Sequence, residues 1–179
     1  KYMEDKWNVE HDTGEAGVPI ILFIEDNIRY YSSFLPMMYR EVIRHSQSVI
    51  SEGCNVSDKI LRMRARPKIL LCTSWEEAMS YFDRYPEEIL GVISDIEFPR
   101  NGRLDREAGV EFALKVKRTW PDVQVILQSG RPQNAPQARA VGAAFLLKGS
   151  PTFMGDLRRI IIQRFYLGDF IFRMPGGKP

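Results

Sequence analysis

Four polar signals stand at the ends of four apolar runs: Glu25-Asp26 after VPIILFI, Asp95 after ILGVIS, Ser129 after VQVILQ and Lys148 after AAFLL. An acidic pair, a lone carboxylate, a hydroxyl and an ammonium suit the joint holding of a divalent cation and a phosphoryl group. Mg²⁺ takes hard oxygen ligands and is usually bound by one or two carboxylates together with phosphate oxygens and water. Two carboxylates ~5 Å apart at an effective dielectric of ~20 repel by roughly 3 kcal/mol, so clustering them calls for a cation. A strand-end carboxylate can also act as a nucleophile and form an aspartyl-phosphate. Phosphoryl transfer asks mainly for positioning and charge neutralisation, which Mg²⁺ and Lys148 would supply while the Ser129 hydroxyl hydrogen-bonds a phosphoryl oxygen. Taken singly, each signal has a plainer explanation. Acids after a strand suit a helix N-terminus, and a lone Ser or Lys says nothing. The joint order is what chance explains poorly.

That chemistry requires the runs to be parallel strands of one sheet, with all four signals at its carboxyl edge, where open α/β sheets bind ligands. Val18–Ile24 is a continuous apolar run, as a strand buried on both faces must be. A helix is expected from Ile28 to Glu52, ended by Gly53, with Pro36 kinking it or starting a second helix. A further amphipathic piece, DKILRMRAR, precedes Pro67, and Lys68–Thr73 is the second strand. Ser74-Trp75-Glu76-Glu77 is a capping box opening a helix to Tyr85. Ile89–Ser94 is the third strand, followed by a long loop with Pro99, Asn101 and Gly102 and a helix from Asp105 to Trp120. Val123–Gln128 is the fourth strand. The two prolines after Ser129 predict a short helix before the fifth strand, Ala143–Leu147. Ser150-Pro151 supplies a cap residue and an N1 proline for a last helix to Leu167. Strands alternating with helices mean a parallel sheet with helices on both faces.

At 179 residues, 44% of them hydrophobic, the chain can bury a real core. A formal charge of +2 gives no electrostatic reason to expect nucleic-acid or membrane binding. No window approaches the ~20 apolar residues of a membrane span, and the start lacks a signal-peptide layout. Cys54 and Cys72 form neither a metal motif nor a disulfide framework, which fits a reducing cytoplasm. Cys72, inside a strand, reads as a buried thiol. Residues 1–17 read as a linker or flexible arm, and 169–179 as a tail leading to a further domain. Both ends look like those of a module from a longer protein.

In this order the residues resemble the receiver domain of two-component response regulators. IILFIEDN resembles its first strand and acidic pair, and GVISDIEFP its acceptor strand with Pro99 beyond it. VILQSG resembles the fourth strand with its Ser/Thr, and AAFLLKGSP the fifth with its lysine. The resemblance covers residues 18–168. It implies a flavodoxin-like (βα)5 fold with a central five-stranded parallel sheet of order 2-1-3-4-5. It also implies Asp95 as phospho-acceptor, Mg²⁺ on Glu25, Asp26, Asp95 and the Glu97 backbone carbonyl, and Phe145 as switch aromatic. The implied partners are a histidine kinase or phosphotransfer protein, a fused output domain and a second copy of the chain, in the cytoplasm.

The chain departs from the family pattern by an insertion over 46–67, by a longer loop between Asp95 and Gly109, and by Gly149-Ser150 standing between Lys148 and Pro151. NIRYYSSFLPMMYREV and LRMRARPKILL further resemble receiver-like modules fused to phosphoenolpyruvate-synthase-like or pyruvate-phosphate-dikinase-like domains.

Two other functions share parts of this inventory. A pseudo-receiver would keep the fold as an interaction module without taking phosphate. A haloacid-dehalogenase-like phosphatase uses a strand-end Asp, an acid two residues on (Glu97 here), a Ser/Thr and a Lys. Its metal-binding acids follow the lysine, however, where only Asp156 and Asp169 remain. The basic residues Arg62, Arg64, Arg66 and Lys68 read as a solvated face or an intramolecular docking surface rather than a nucleic-acid site. Tyr30, Tyr31, Phe34 and Tyr39, at helical spacing, read as core. His11 and His45 read as incidental.

Overall fold

The computed structural model describes residues 1–51 and 66–165. In chain order the strands are β1 (Ile20–Ile24), β2 (Lys68–Cys72), β3 (Ile89–Asp95), β4 (Phe98–Arg100), β5 (Arg103–Asp105), β6 (Gln124–Ser129) and β7 (Ala144–Leu147). The α-helices are α1 (Tyr2–Val9), α2 (Ile28–Ser51), α3 (Trp75–Arg84), α4 (Ala108–Thr119), α5 (Ala135–Ala140) and α6 (Phe153–Arg164).

The main sheet has the order β2-β1-β3-β6-β7, with every pairing parallel. Counting only its own strands, this is the 2-1-3-4-5 arrangement that the resemblance implied. Each strand of β1 and β2 is buried along its whole length because both faces are covered. Ile20, Leu22 and Ile24 face Phe82 of α3 and Phe112 and Val116 of α4. Ile21 and Phe23 face Phe34 and Met38 of α2 and Leu157 and Ile161 of α6.

Phe34 and Tyr39 are buried, and Tyr30 and Tyr31 pack against the same cluster, so the α2 aromatics are core. Pro36 lies inside one helix rather than between two. Burial of Leu35, Met37 and Met38 around it offsets the hydrogen bond that proline cannot make. Gly91 on β3 leaves room for Phe165, whose ring would come within 2.3 Å of an added Cβ.

Several elements differ from the sequence reading. Residues 1–17, expected as a flexible arm, form α1 and a π-helical turn over Glu10–Glu15. Asp5 of α1 is fully buried and accepts from Arg66 Nη2 at 2.6 Å, Tyr39 Oη at 2.9 Å and the Ile69 N–H at 2.9 Å. Lys68 pairs with Asp12, and Lys6 with Glu77. Thr13 Oγ1 donates to the Val18 carbonyl at 2.9 Å. The segment therefore covers the outer edge of β2, and its composition alone cannot reveal partners that lie as far as 71 residues away along the chain. Arg66 and Lys68 act as the intramolecular docking surface, while Arg62, Arg64, Cys54, the DKILRMRAR piece up to residue 65 and the tail 169–179 lie outside the described residues.

The loop after Asp95 holds a hairpin, β4 and β5, turned by Asn101 and Gly102 at φ 50° and 71°. Asn-Gly is the residue pair such a two-residue turn requires. Arg100 anchors the hairpin, stacking 4.1 Å from the Trp75 ring centroid and pairing with Glu111 at 2.5 Å. Ser74 caps α3 as expected, accepting from the Glu77 N–H at 3.3 Å. Glu77, however, reaches back to the Thr73 N–H at 2.8 Å, one residue before the cap. The last helix starts at Phe153 and not at Pro151. Ser150 instead closes a turn, its Oγ accepting from the Thr152 N–H at 3.3 Å.

Candidate functional site

The carboxyl edge of the sheet gathers Glu25 and Asp26 from the end of β1, Asp95 from β3 and Lys148 just past β7. One carboxylate oxygen from each of Glu25, Asp26 and Asp95 lies within 4.8 Å of the others, and among the described residues this is the one such group of potential metal ligands. Lys148 Nζ is 2.5 Å from both Glu25 Oε2 and Asp95 Oδ2. It also sits 4.3 Å from the centroid of the Tyr30 ring, a cation–π contact that desolvation strengthens. Beyond the lysine, Gly149 takes φ 81° and turns the chain, a conformation that glycine adopts without strain.

Alternation along the strands decides which groups meet. Glu25 continues the Ile21–Phe23 side of β1, and Gln128 continues the Ile126 side of β6, so both face the α2–α6 layer. Gln128 is buried and donates from Nε2 to Glu25 Oε2 at 2.9 Å, while its own Oε1 has no partner. The Asn27 N–H donates to Glu25 Oε1 at 3.2 Å. Asp95 Oδ1 accepts from the Ile96 N–H at 2.7 Å, which orients its carboxylate. Gly109 at the start of α4 donates its N–H to the Ile96 carbonyl at 2.9 Å. A Cβ there would stand 2.2 Å from the Asp95 carbonyl oxygen. Gln128, Asn27, Tyr30 and Gly109 thus join the site, none of them assigned to it from sequence. The legible signal for Gln128 was a polar residue on a strand otherwise buried.

Burial raises the Glu25 carboxyl to about 7, opposed by Lys148 and assisted by the charge of Asp95. Asp26 is also raised, first by desolvation and then by Asp95. In the folded chain Glu25 holds its proton to higher pH than in the unfolded chain. Its contribution is therefore fully present below the ordinary value of 4.5 and is lost as pH rises through about 7. Without divalent metal, urea denaturation should report a loss of about 3 kcal/mol from this group across that window. Mg²⁺ should restore most of it at pH 8, with proton release on Mg²⁺ addition near neutrality. A stability independent of pH across this window would contradict the burial-raised carboxyl.

The donor set fits Mg²⁺: three hard carboxylates against one ammonium leave two negative charges when all are ionised. Ser129 ends β6 buried, its Oγ accepting from the Arg131 N–H at 3.1 Å and Asn134 Nδ2 at 3.0 Å. Glu97 directs its carboxylate to Arg131 Nη1 at 3.0 Å. Phe145 is half-buried on the α3–α4 side of the sheet and borders a groove of about 330 Å³ with Leu147 and Phe153. Asp156 pairs with Arg159 at 3.1 Å on α6 and is not in the carboxylate cluster, while Asp169 lies outside the described residues. Cys72 is a buried thiol pushed up by desolvation. Among the described residues no helix is long and apolar enough to cross a membrane.

Neither a protein-family model nor a curated protein matches the sequence. Solved structures do. A response regulator receiver domain protein from Clostridium thermocellum is 20% identical, with a TM-score of 0.57 over 83% of this chain and 94% of that one. A CheY-like receiver domain protein from Methanospirillum hungatei is 18% identical, with a TM-score of 0.52 over 83% and 94%. The Mn²⁺-bound form of response regulator Rcp1 is 13% identical, with a TM-score of 0.50 over 88% and 99%. The shared sheet order, the helices on both its faces and these three likenesses together establish that the chain has the CheY-like fold of response-regulator receiver domains.

Proposed function

We propose that residues 18–168 form a receiver module that accepts a phosphoryl group on Asp95 in a Mg²⁺-dependent reaction and acts as a signalling switch. The observation that carries this reading is the Asp95 carboxylate itself, clustered with Glu25 and Asp26 and met at 2.5 Å by the Lys148 ammonium. Glu25, Asp26, Asp95 and the Glu97 backbone carbonyl would hold Mg²⁺, consistent with the bound metal of the Rcp1 structure. When bound, the ion neutralises the phosphoryl oxygens and lets them approach the carboxylates.

The chain's own groups supply the rest. The Ile96 N–H fixes one Asp95 oxygen and leaves the carboxylate aimed at the Lys148 side. Asp95 forms the new O–P bond as the donor's P–N or P–O bond breaks, and the leaving group keeps that electron pair. Lys148 balances the charge on the transferred group, and the Ser129 hydroxyl donates to one of its oxygens. The gain of nearly two negative charges then biases Ser129 and the aromatic Phe145 toward a second arrangement. The donor would be a phosphohistidine on a kinase or phosphotransfer protein. The module is regulatory, not a classical enzyme, and would act on a fused output domain or a second copy of the chain. Fusion to a phosphoenolpyruvate-synthase-like or dikinase-like partner rests on the resemblance of NIRYYSSFLPMMYREV and LRMRARPKILL alone.

Incubation with acetyl phosphate and Mg²⁺, read by intact mass, should add one phosphoryl group to the chain and none to Asp95→Asn. Equal uptake by the variant would refute the assignment. No uptake by the unaltered chain, together with no Mg²⁺-dependent amide shifts on adding beryllofluoride, would favour the pseudo-receiver.

A further inference from the structure

The Ser129 hydroxyl oxygen is held by its own loop in this structure. It accepts two hydrogen bonds, from the Arg131 N–H and from Asn134 Nδ2. A hydroxyl oxygen has two lone pairs, so its acceptor capacity is filled by its own loop. That loop is itself braced. Asn134 ends a tight turn over Pro132–Asn134, donates its N–H to the Arg131 carbonyl at 3.1 Å and leads straight into α5. The Arg131 guanidinium is tied across to Glu97, on the loop that follows Asp95. The Asp95 oxygens are meanwhile engaged by Ile96 and Lys148.

We propose that Asn134 is a positioning residue that latches Ser129 in the unphosphorylated state, and that phosphorylation must break this latch. The proposal rests on reading Asp95 as phospho-acceptor with Ser129 as donor to the phosphoryl group. To swing its O–H toward that group, Ser129 rotates about Cα–Cβ and gives up both acceptor bonds. The Arg131 N–H belongs to an exposed residue and can turn to water. The Asn134 amide is a side chain and can be removed without touching the backbone. Asn134 thus sets the resting side of the switch equilibrium, and the identity of residue 134 tunes how strongly a phosphoryl group shifts it.

The test uses beryllofluoride with Mg²⁺ as the phosphoryl mimic, followed by amide NMR titration. Asn134→Ala should bind it about fivefold more tightly than the unaltered chain, the usual net worth of one neutral hydrogen bond. Asn134→Leu, which keeps the shape and removes the donor, should give the same gain and guards against a packing artefact. In a Ser129→Ala background neither substitution should add anything, because the latched hydroxyl is gone. Arg131→Ala, which keeps the backbone N–H and removes only an ion pair whose arginine side chain is half exposed, should change affinity by less than about twofold. Unchanged or weaker binding by Asn134→Ala, or an equal gain in the Ser129→Ala background, would overturn the latch while leaving Asp95 as acceptor. Absence of Mg²⁺-dependent beryllofluoride binding by the unaltered chain would instead remove the acceptor reading, and the latch with it.

Discussion

Replacing Gly109 by alanine should lower stability by about 3 kcal/mol, the upper part of the range for overpacking a tight core. It should also cut phosphoryl uptake at least tenfold. The reason is a backbone contact and not a side-chain one. An added Cβ would meet the Asp95 carbonyl oxygen at 2.2 Å and the Ile96 Cα at 2.7 Å. Neither atom can rotate away, so either α4 lifts from the sheet or the Asp95–Ile96 peptide moves. The second outcome displaces the Ile96 N–H that orients the carboxylate, and small displacements of a reacting group carry large rate penalties. Gly155 on α6 is the control. Nothing lies within 4 Å of its would-be Cβ, so Gly155→Ala should be neutral or stabilising by up to about 1 kcal/mol through helix propensity. Urea denaturation and acetyl phosphate uptake measured on both variants decide the matter. Equal behaviour of the two would show that the Asp95 backbone tolerates the shift.

The second large effect is expected from Asp5→Ala. Asp5 is fully buried, and its carboxylate serves Arg66, Tyr39 and the Ile69 N–H at the open edge of β2. Removing one member of a buried ion pair leaves the other charge uncompensated, a loss of about 3–5 kcal/mol. Here it also strands a strand-edge N–H. Asp5→Asn keeps an acceptor but not the charge and should fall between the two. Denaturation of the variants, with amide exchange at Ile69, measures both parts. A loss under about 1 kcal/mol would mean that α1 is only an appended arm.

Sheet membership was legible because each strand announces itself without help from distant residues. VPIILFI and ILLC are apolar throughout because both faces of a parallel sheet are covered, and a polar residue then marks the strand end. Burial within α2 followed from its helical spacing, although Pro36 left open whether one helix runs through it or a second begins there. The hairpin was written in Asn101-Gly102 but passed for loop, since its strands are only three residues each. α1 was illegible for a different reason. It and the turn after it are polar because Asp5, Lys6 and Asp12 meet Arg66, Glu77 and Lys68, and those meetings exist only after folding.

The same division runs through the site. Sequence by itself determined the residue types and the strand ends on which Glu25, Asp26, Asp95, Ser129 and Lys148 stand, because local patterning sets where each strand stops. Tertiary structure alone decided which side of the sheet each group faces and what it touches there. Strand alternation and register bring Gln128 and Lys148 onto one Glu25 oxygen. Close backbone approach makes Gly109 a support for Asp95. The turn after β6 gives the Ser129 oxygen to Asn134 and not to Asp95. Those are distances between segments far apart in the chain, and only the packed sheet with its covering helices sets them.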